Sequence, residues 1–250
     1  MYYGLYVSAA GAHAQSQKVE VLSNNLANAN TVGFKRELAL LAARDSEAIE
    51  RGLVSRGTQA LEDIGGGTRF WATATDFSPG TMQLTNIPTD LAIQDPGTFF
   101  LVARGSQRLL TRAGNFQISS DGRLLTAQGD AVLSTDGEPI QIDPTLPWRF
   151  LAGGILEQAG ERVALALVRP RELSALTKVG ENCFQASAPP EAVPDEQRQV
   201  RPGYLELSGV NPVEEMVELI AASRAYEANV RIIQQHDSAT SQLIGRILRA

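Results

Sequence analysis

SNNLANANTVGFKRE, residues 23–37, places four asparagines where an apolar N-terminal segment should be completing a helix. Asparagine is a poor interior helix residue because its amide competes for local backbone hydrogen bonds, so Asn24, Asn25, Asn28 and Asn30 need partners outside the helical ladder. Leu22 and Leu26 nevertheless carry one apolar stripe through this polar ground. Taken alone, the stretch reads as a frayed helix end followed by a turn at Gly33.

The far end of the chain changes that reading. From Asn211 the sequence runs NPVEEMVELIAASRAYEANVRIIQQHDSATSQLIGRILRA without another proline and with Gly245 as its one glycine. Asn211 suits an N-cap, Pro212 suits the first helical position, and Glu214 completes a capping-box spacing beside Glu215. Val213, Val217, Ile220, Ala221, Ala225, Ala228, Ile232, Ala239, Leu243 and Ile247 recur at steps of three and four, which predicts one buried stripe. Continued through Leu248, the helix would be about 57 Å long, too long for the core of a domain this size. At the other terminus Leu5, Ala9, Ala12, Val19, Leu22 and Leu26 keep helical spacing, although Gly4 and Gly11 weaken the early turns. Small residues dominate that stripe, so a lone pair of terminal helices buries little apolar area and is marginal in water. The expectation is helices that become ordered in an assembly.

Between the termini the period changes. Residues 35–51, KRELALLAARDSEAIER, have helix-forming composition and predict a short helix with Leu38, Leu41 and Ala42 on one side. Gly52, Gly57 and the triplet Gly65–Gly67 then suggest a flexible or extended connection. The triplet lacks the following Lys-Ser or Lys-Thr of a phosphate-binding loop, so it reads as a loop. From about Thr81 to Gln185 short runs such as FFLVAR, RLLTAQ and PIQI are punctuated by the Asp121-Gly122 and Asp136-Gly137 turns, a series of β-hairpins. VALALV and NCFQAS supply later strands of an antiparallel sandwich or barrel. Pro189, Pro190, Pro194 and Pro202 among charged residues read as a linker. The predicted organisation is α+β: residues 1–34 a terminal helix, 35–80 a short helix and connection, 81–188 a mainly antiparallel β-domain, 189–210 a linker and 211–250 a second long helix.

Composition removes several function classes. A net charge of −6 and no useful basic tract argue against nucleic-acid binding, and no apolar run approaches the roughly 20 residues needed to span a bilayer. A basic n-region is missing before Lys18, which argues against a cleaved signal peptide. Cys183, the one cysteine, cannot form an intramolecular disulfide and reads as a small buried hydrophobe. His13 and His236 fall in the predicted terminal helices without metal-ligand spacing to another His or Cys. Asp76, Asp90 and Asp95 near turns read as caps or solvated charges, and no catalytic or dinucleotide motif is present. No catalytic residue, cofactor or metal is assigned. A secreted β-rich binding module tethered by helices is the alternative to an assembly protein.

Residues 1–37, ending in the quoted stretch, resemble the N-terminal signature of bacterial flagellar rod and hook proteins. The run SGVNPVEEMVELIAASRAYEANVRIIQ from Ser208 is similar to the family's C-terminal segment. DLAIQDPGTFFLV (90–102) and LLTRAGNFQISSDGRLLTAQGDAVL (109–133) resemble its middle domain, with Thr89, Asp95 and Thr98 departing from the usual middle motif. The resemblance implies a structural subunit of the basal-body rod, the proximal rod in preference to the distal rod or hook. It also implies uncleaved export through the flagellar export apparatus, a periplasmic location, and homo- or hetero-polymerisation with other rod and hook proteins. The assembly residues it implies are Ser23, Asn24, Asn25, Leu26, Asn28, Gly33 and Phe34, with Glu215, Met216, Arg224, Ala225, Tyr226, Glu227 and Ile232. Ordinary packing within one chain is the other use open to them.

Overall fold

The computed structural model describes residues 3–55 and 65–247, and the chain is α+β. Gly57, Leu248 and the side chain of Ile247, all used in the sequence reading, lie outside what is described. Two compact units are interleaved along the chain: one is Met1–Ala27, Glu37–Ala74 and Asn211–Ala250, the other Asn28–Arg36 and Thr75–Val210.

The helical unit contains α1 (Tyr3–Ala27) and α3 (Pro212–Ile247), with β1 (Glu37–Arg44), the one-turn α2 (Glu47–Glu50) and β2 (Gly67–Thr75) between them in sequence. α3 begins as its sequence predicts. The Asn211 side chain accepts from the Val213 amide at 3.2 Å, and its carbonyl accepts from Glu215 at 3.0 Å. A capped start with Pro212 in the first turn satisfies donors that would otherwise be orphaned.

The stretch predicted to be a short helix is a strand over Glu37–Arg44 that pairs with β2, and only Glu47–Glu50 is helical. LALLAA is a short apolar run that suits either period. Pairing with β2 and packing on α1 outweigh the helical propensity of its Leu and Ala residues. Gly67 of β2 sits beside Val7 and Ala10 of α1, and Ala14 and Val21, one and two heptads on from Val7, are buried.

The second unit is built around an antiparallel sheet. β3 (Met82–Leu84) and β4 (Leu91–Ile93) lie outside that sheet in two-stranded pairings, and the hairpin of β5 (Phe99–Arg104) and β6 (Gln107–Thr111) lies at its centre. Cys183–Ala186 and Leu176–Gly180 extend the sheet beyond β6, and Ala131–Val132, Leu124–Leu125 and Gln117–Ile118 extend it beyond β5. Alternation along β5 sends neighbouring side chains to opposite faces. Phe100 and Val102 enter a large core with Leu91, Leu109, Phe116, Leu124, Val132, Ile140 and Leu165. Phe99 enters a smaller one with Leu110, Val168 and Phe184, where Phe77 packs edge-on to Phe99 at 5.9 Å.

Where four prolines suggest a linker, residues 189–210 are part of this unit. Glu191–Ala192 pairs with Leu167–Arg169, Val200–Pro202 with β4, and Tyr204–Glu206 with β3. Pro202 ends its strand, and Val193 and Val200 are buried in the larger core. Cys183 is buried as expected, and burial pushes its thiol up to about 11.

Candidate assembly site and its internal anchors

The two long helices meet along a seam that repeats every seven residues. Gly4, Gly11, Lys18 and Asn25 of α1 form one heptad series, and Glu215, Ala222, Asn229 and His236 of α3 form the other. A Cβ on Gly11 would lie 3.0 Å from Asn229 Oδ1, and one on Gly4 would lie 3.2 Å from His236 Nε2. The glycines therefore leave the room that these two polar side chains fill. Lys18 pairs with Glu218 at 3.3 Å, and Asn25 Nδ2 donates to Glu215 Oε2 at 3.2 Å. Polar and small residues at seam positions define register at a cost in stability.

Asn25 is fully buried and does more than contact Glu215. Its Nδ2 donates to the Glu37 carbonyl at 2.8 Å, and its Oδ1 accepts from the Glu37 amide at 2.9 Å. One amide side chain thus replaces a strand partner at the start of β1.

The apolar residues of α3 lie mostly on the other side. The sequence predicts one buried stripe, yet Val213, Val217, Ile220, Ala221, Ala228, Ile232, Ala239 and Leu243 are all exposed, Val213 and Val217 to more than 60% (65% and 63%). The inward series is offset from that stripe by about two residues. The periodicity identified a helix with an apolar face but could not say whether that face turns toward its own chain. Leu219 and Ile233 are half-buried near the seam, and Ala222 is buried in it.

Residues 28–36 are bound within the β-rich unit. Gly33 adopts φ +67°, and a Cβ there would lie 2.5 Å from the Arg112 carbonyl carbon, so only glycine fits this close backbone approach. Its amide donates to the Glu206 carbonyl at 2.7 Å, and the Phe34 carbonyl accepts from Gly209 at 2.9 Å. The Lys178 ammonium lies 4.1 Å from the centre of the Phe34 ring.

Below Gly33 is a buried ion cluster. Lys35 Nζ donates to Glu206 Oε1 and to the Ser78 carbonyl, both at 2.8 Å, and to the Phe77 carbonyl at 3.5 Å. Arg112 Nε donates to Glu206 Oε2 at 2.8 Å, and the rest of its guanidinium reaches the carbonyls of Asp95, Thr98 and Ile93. The Gly80 amide also donates to Glu206, at 2.9 Å. Lys35, Arg112 and Glu206 are each 1% exposed. Burial pushes the Lys35 ammonium and the Arg112 guanidinium below their ordinary values, and Glu206 opposes the shift. Two buried cations on one carboxylate are tolerable because six carbonyl and carboxylate acceptors surround them.

The resemblance-derived residues therefore divide. Asn25 and Glu215 are used inside the helical unit, and Gly33 and Phe34 inside the β-rich unit. Ser23, Asn24, Met216, Arg224, Tyr226, Glu227 and Ile232 are exposed, with Glu227 paired to Arg231 at 3.6 Å. Leu26, Asn28 and Ala225 are half-buried, and Asn28 accepts from Thr31 in a turn. Lys35, Arg112 and Glu206 were not singled out from sequence. Their signal was a charge set among apolar neighbours, in GFKRE, LLTRAG and YLEL.

Among the described residues no group of His, Cys, Asp or Glu side chains could hold a metal ion, and no helix is long and apolar enough to cross a membrane.

Comparison with known proteins decides the family. A profile described as "Flagella basal body rod protein" matches residues 5–35. The D1 domain of the flagellar hook protein FlgE/F/G matches 92–150, and the C-terminal domain of basal body rod FlgEFG proteins matches 201–246. The flagellar basal-body rod protein FlgF of Caulobacter vibrioides is 32% identical over 245 residues, covering 97% of each chain. FlgG of Borreliella burgdorferi is 33% identical over 261 residues, covering 95% of this chain and 96% of its own. The chain belongs to the flagellar basal-body rod protein family. FlgG of Caulobacter vibrioides, 34% identical over 269 residues, is similar across 96% of this chain and 98% of its own. This rod-family protein is accordingly a structural protein of the flagellar basal body, not an enzyme.

Proposed function

We propose that this rod-family chain polymerises through its terminal helices into the axial tube that transmits torque, with the β-rich unit contributing to the tube's wall. The observation that carries the reading is the outward apolar face of α3, Val213, Met216, Val217 and Ile220, opposite a seam that is small and polar at every heptad. A helix pair of this kind gains little from its own closure and much from apolar cover supplied by neighbours. Head-to-tail contacts of that sort build helical tubes. The partners are other flagellar rod and hook proteins, in a homo- or hetero-polymer, after passage of the chain through the flagellar export apparatus to the periplasmic rod. Nucleic acid and membrane insertion play no part.

Within the family we favour the proximal rod over the distal rod or hook. The overall length of 250 residues supports this choice. The direct passage from TDFSPGTMQLT to DLAIQDPGTFF also leaves no room for an inserted outer domain. Imaging basal bodies with a label on the β-rich unit tests the position: label near the inner membrane supports the proximal rod, and label farther out or in the hook rejects it. Ile232→Asp and Leu26→Asp test assembly itself. Each should abolish incorporation and motility while the β-rich unit stays folded, and normal motility of either contradicts the reading.

A further inference from the structure

The signature stretch ends in a segment whose burial has nothing to do with the helices. The chain enters the β-rich unit at Asn28, leaves it after Arg36, returns at Thr75 and leaves again after Val210. The buried ion cluster sits on the segments beside three of those passages: Lys35 precedes the first exit, Ser78 and Gly80 follow the return, and Glu206 precedes the last exit. Arg112, at the end of β6, ties all of them to the centre of the sheet through Glu206.

Further bonds act in the same place. Asn182 Nδ2 donates to the Val32 carbonyl at 2.7 Å, Lys178 Nζ to the Lys35 carbonyl at 3.2 Å, and the Asp76 amide to the Arg36 carbonyl at 2.8 Å. The segment 28–36 thus has its own side-chain and backbone partners in the β-rich unit, independent of any contact made by α1 or β1.

We infer that the Lys35–Glu206–Arg112 cluster is an anchor holding residues 28–36 folded on the β-rich unit in the free subunit, so that ordering on assembly stops at Ala27 and Glu37. The inference rests on the reading that the terminal helices order when subunits join. The anchor presents the C-terminal end of α1 and the start of β1 from fixed points, which shortens the chain that a neighbour must immobilise.

Amide hydrogen exchange of the full-length monomer tests this. Gly33 and Gly209 should exchange as slowly as Leu133 and Ile140 of the sheet, and roughly 100-fold more slowly than the amides of residues 12–22 in α1. Lys35→Met removes the ammonium but leaves Glu206 its Arg112 and Gly80 partners. In that variant Gly33 and Gly209 should exchange roughly 100-fold faster, with Leu133 and Ile140 unmoved. Wild-type Gly33 exchanging at the rate of α1, or Lys35→Met leaving Gly33 protected, overturns the anchor. So does joint loss of protection at Leu133 and Ile140, because the cluster would then hold the whole unit and not this segment. Slow exchange throughout α1 in the monomer would defeat ordering on assembly alone, and the comparison of Gly33 between wild type and Lys35→Met would still judge the anchor.

Discussion

The β-rich unit and the helical unit bury their side chains in opposite ways. In the first, phenylalanines and aliphatics from both faces of the β5–β6 hairpin fill two cores, and the buried charges of Lys35, Arg112 and Glu206 are fully engaged. In the second, glycine, lysine and asparagine of α1 meet glutamate, alanine, asparagine and histidine of α3, and most of the apolar residues of α3 point outward. A domain that must stand alone turns its apolar surface inward. One completed by its neighbours can leave that surface outside.

The largest expected effect separates the two kinds of interior. Phe100→Ala opens a cavity in a fully buried site and should lower the unfolding free energy of the β-rich unit by about 3–5 kcal/mol, measured by urea denaturation. Leu22→Ala in α1 should cost about 2 kcal/mol or less, because Leu22 belongs to neither of the two apolar cores. Equal losses would break the contrast.

A smaller effect probes the seam. Gly11→Leu places a side chain against Asn229, and the overpacking should cost the helix pair about 1–3 kcal/mol, offset in part by about 1 kcal/mol of better helix propensity. In assembled rods, circular dichroism during thermal unfolding should show earlier loss of helix, with the sheet transition of the monomer unchanged. A variant that leaves the helical transition in place would show that the seam does not require glycine.

The smallest effect belongs to a solvent-facing turn of the β-rich unit. Hydrogen bonds from the Ser78 hydroxyl and amide hold the Asp76 carboxyl below its ordinary range. Its folded value lies below its unfolded value, so the carboxylate's contribution is present above about pH 4 and is lost as pH falls through the folded value. Asp76→Asn should therefore be slightly less stable than wild type at neutral pH, with a flatter fall below about pH 4 where the two proteins converge. An unaltered acid limb would remove Asp76 from the account.

Much of this architecture was legible. Asn211-Pro212 marked the start of α3, the Asp-Gly turns marked hairpins, and the four asparagines marked a place where side-chain amides must find partners. Asn25 does so within the chain. Three features were not legible. LALLAA reads as helix by propensity, and pairing with a strand more than 20 residues away overrode that preference. The prolines of 189–210 hid three strands, because proline at a strand end is compatible with edge pairing. The facing of α3 was hidden because an apolar period says that a face will be covered and is silent about which molecule covers it.

The outward face of α3 is the centre of the account, and the double variant Val217→Asp/Ile220→Asp tests it most directly. Both side chains are exposed, so the purified monomer should keep wild-type helix content and stability to within about 0.5 kcal/mol. The same variant should be missing from basal bodies isolated from cells that express it. Normal incorporation of Val217→Asp/Ile220→Asp would contradict the assembly role assigned to that face.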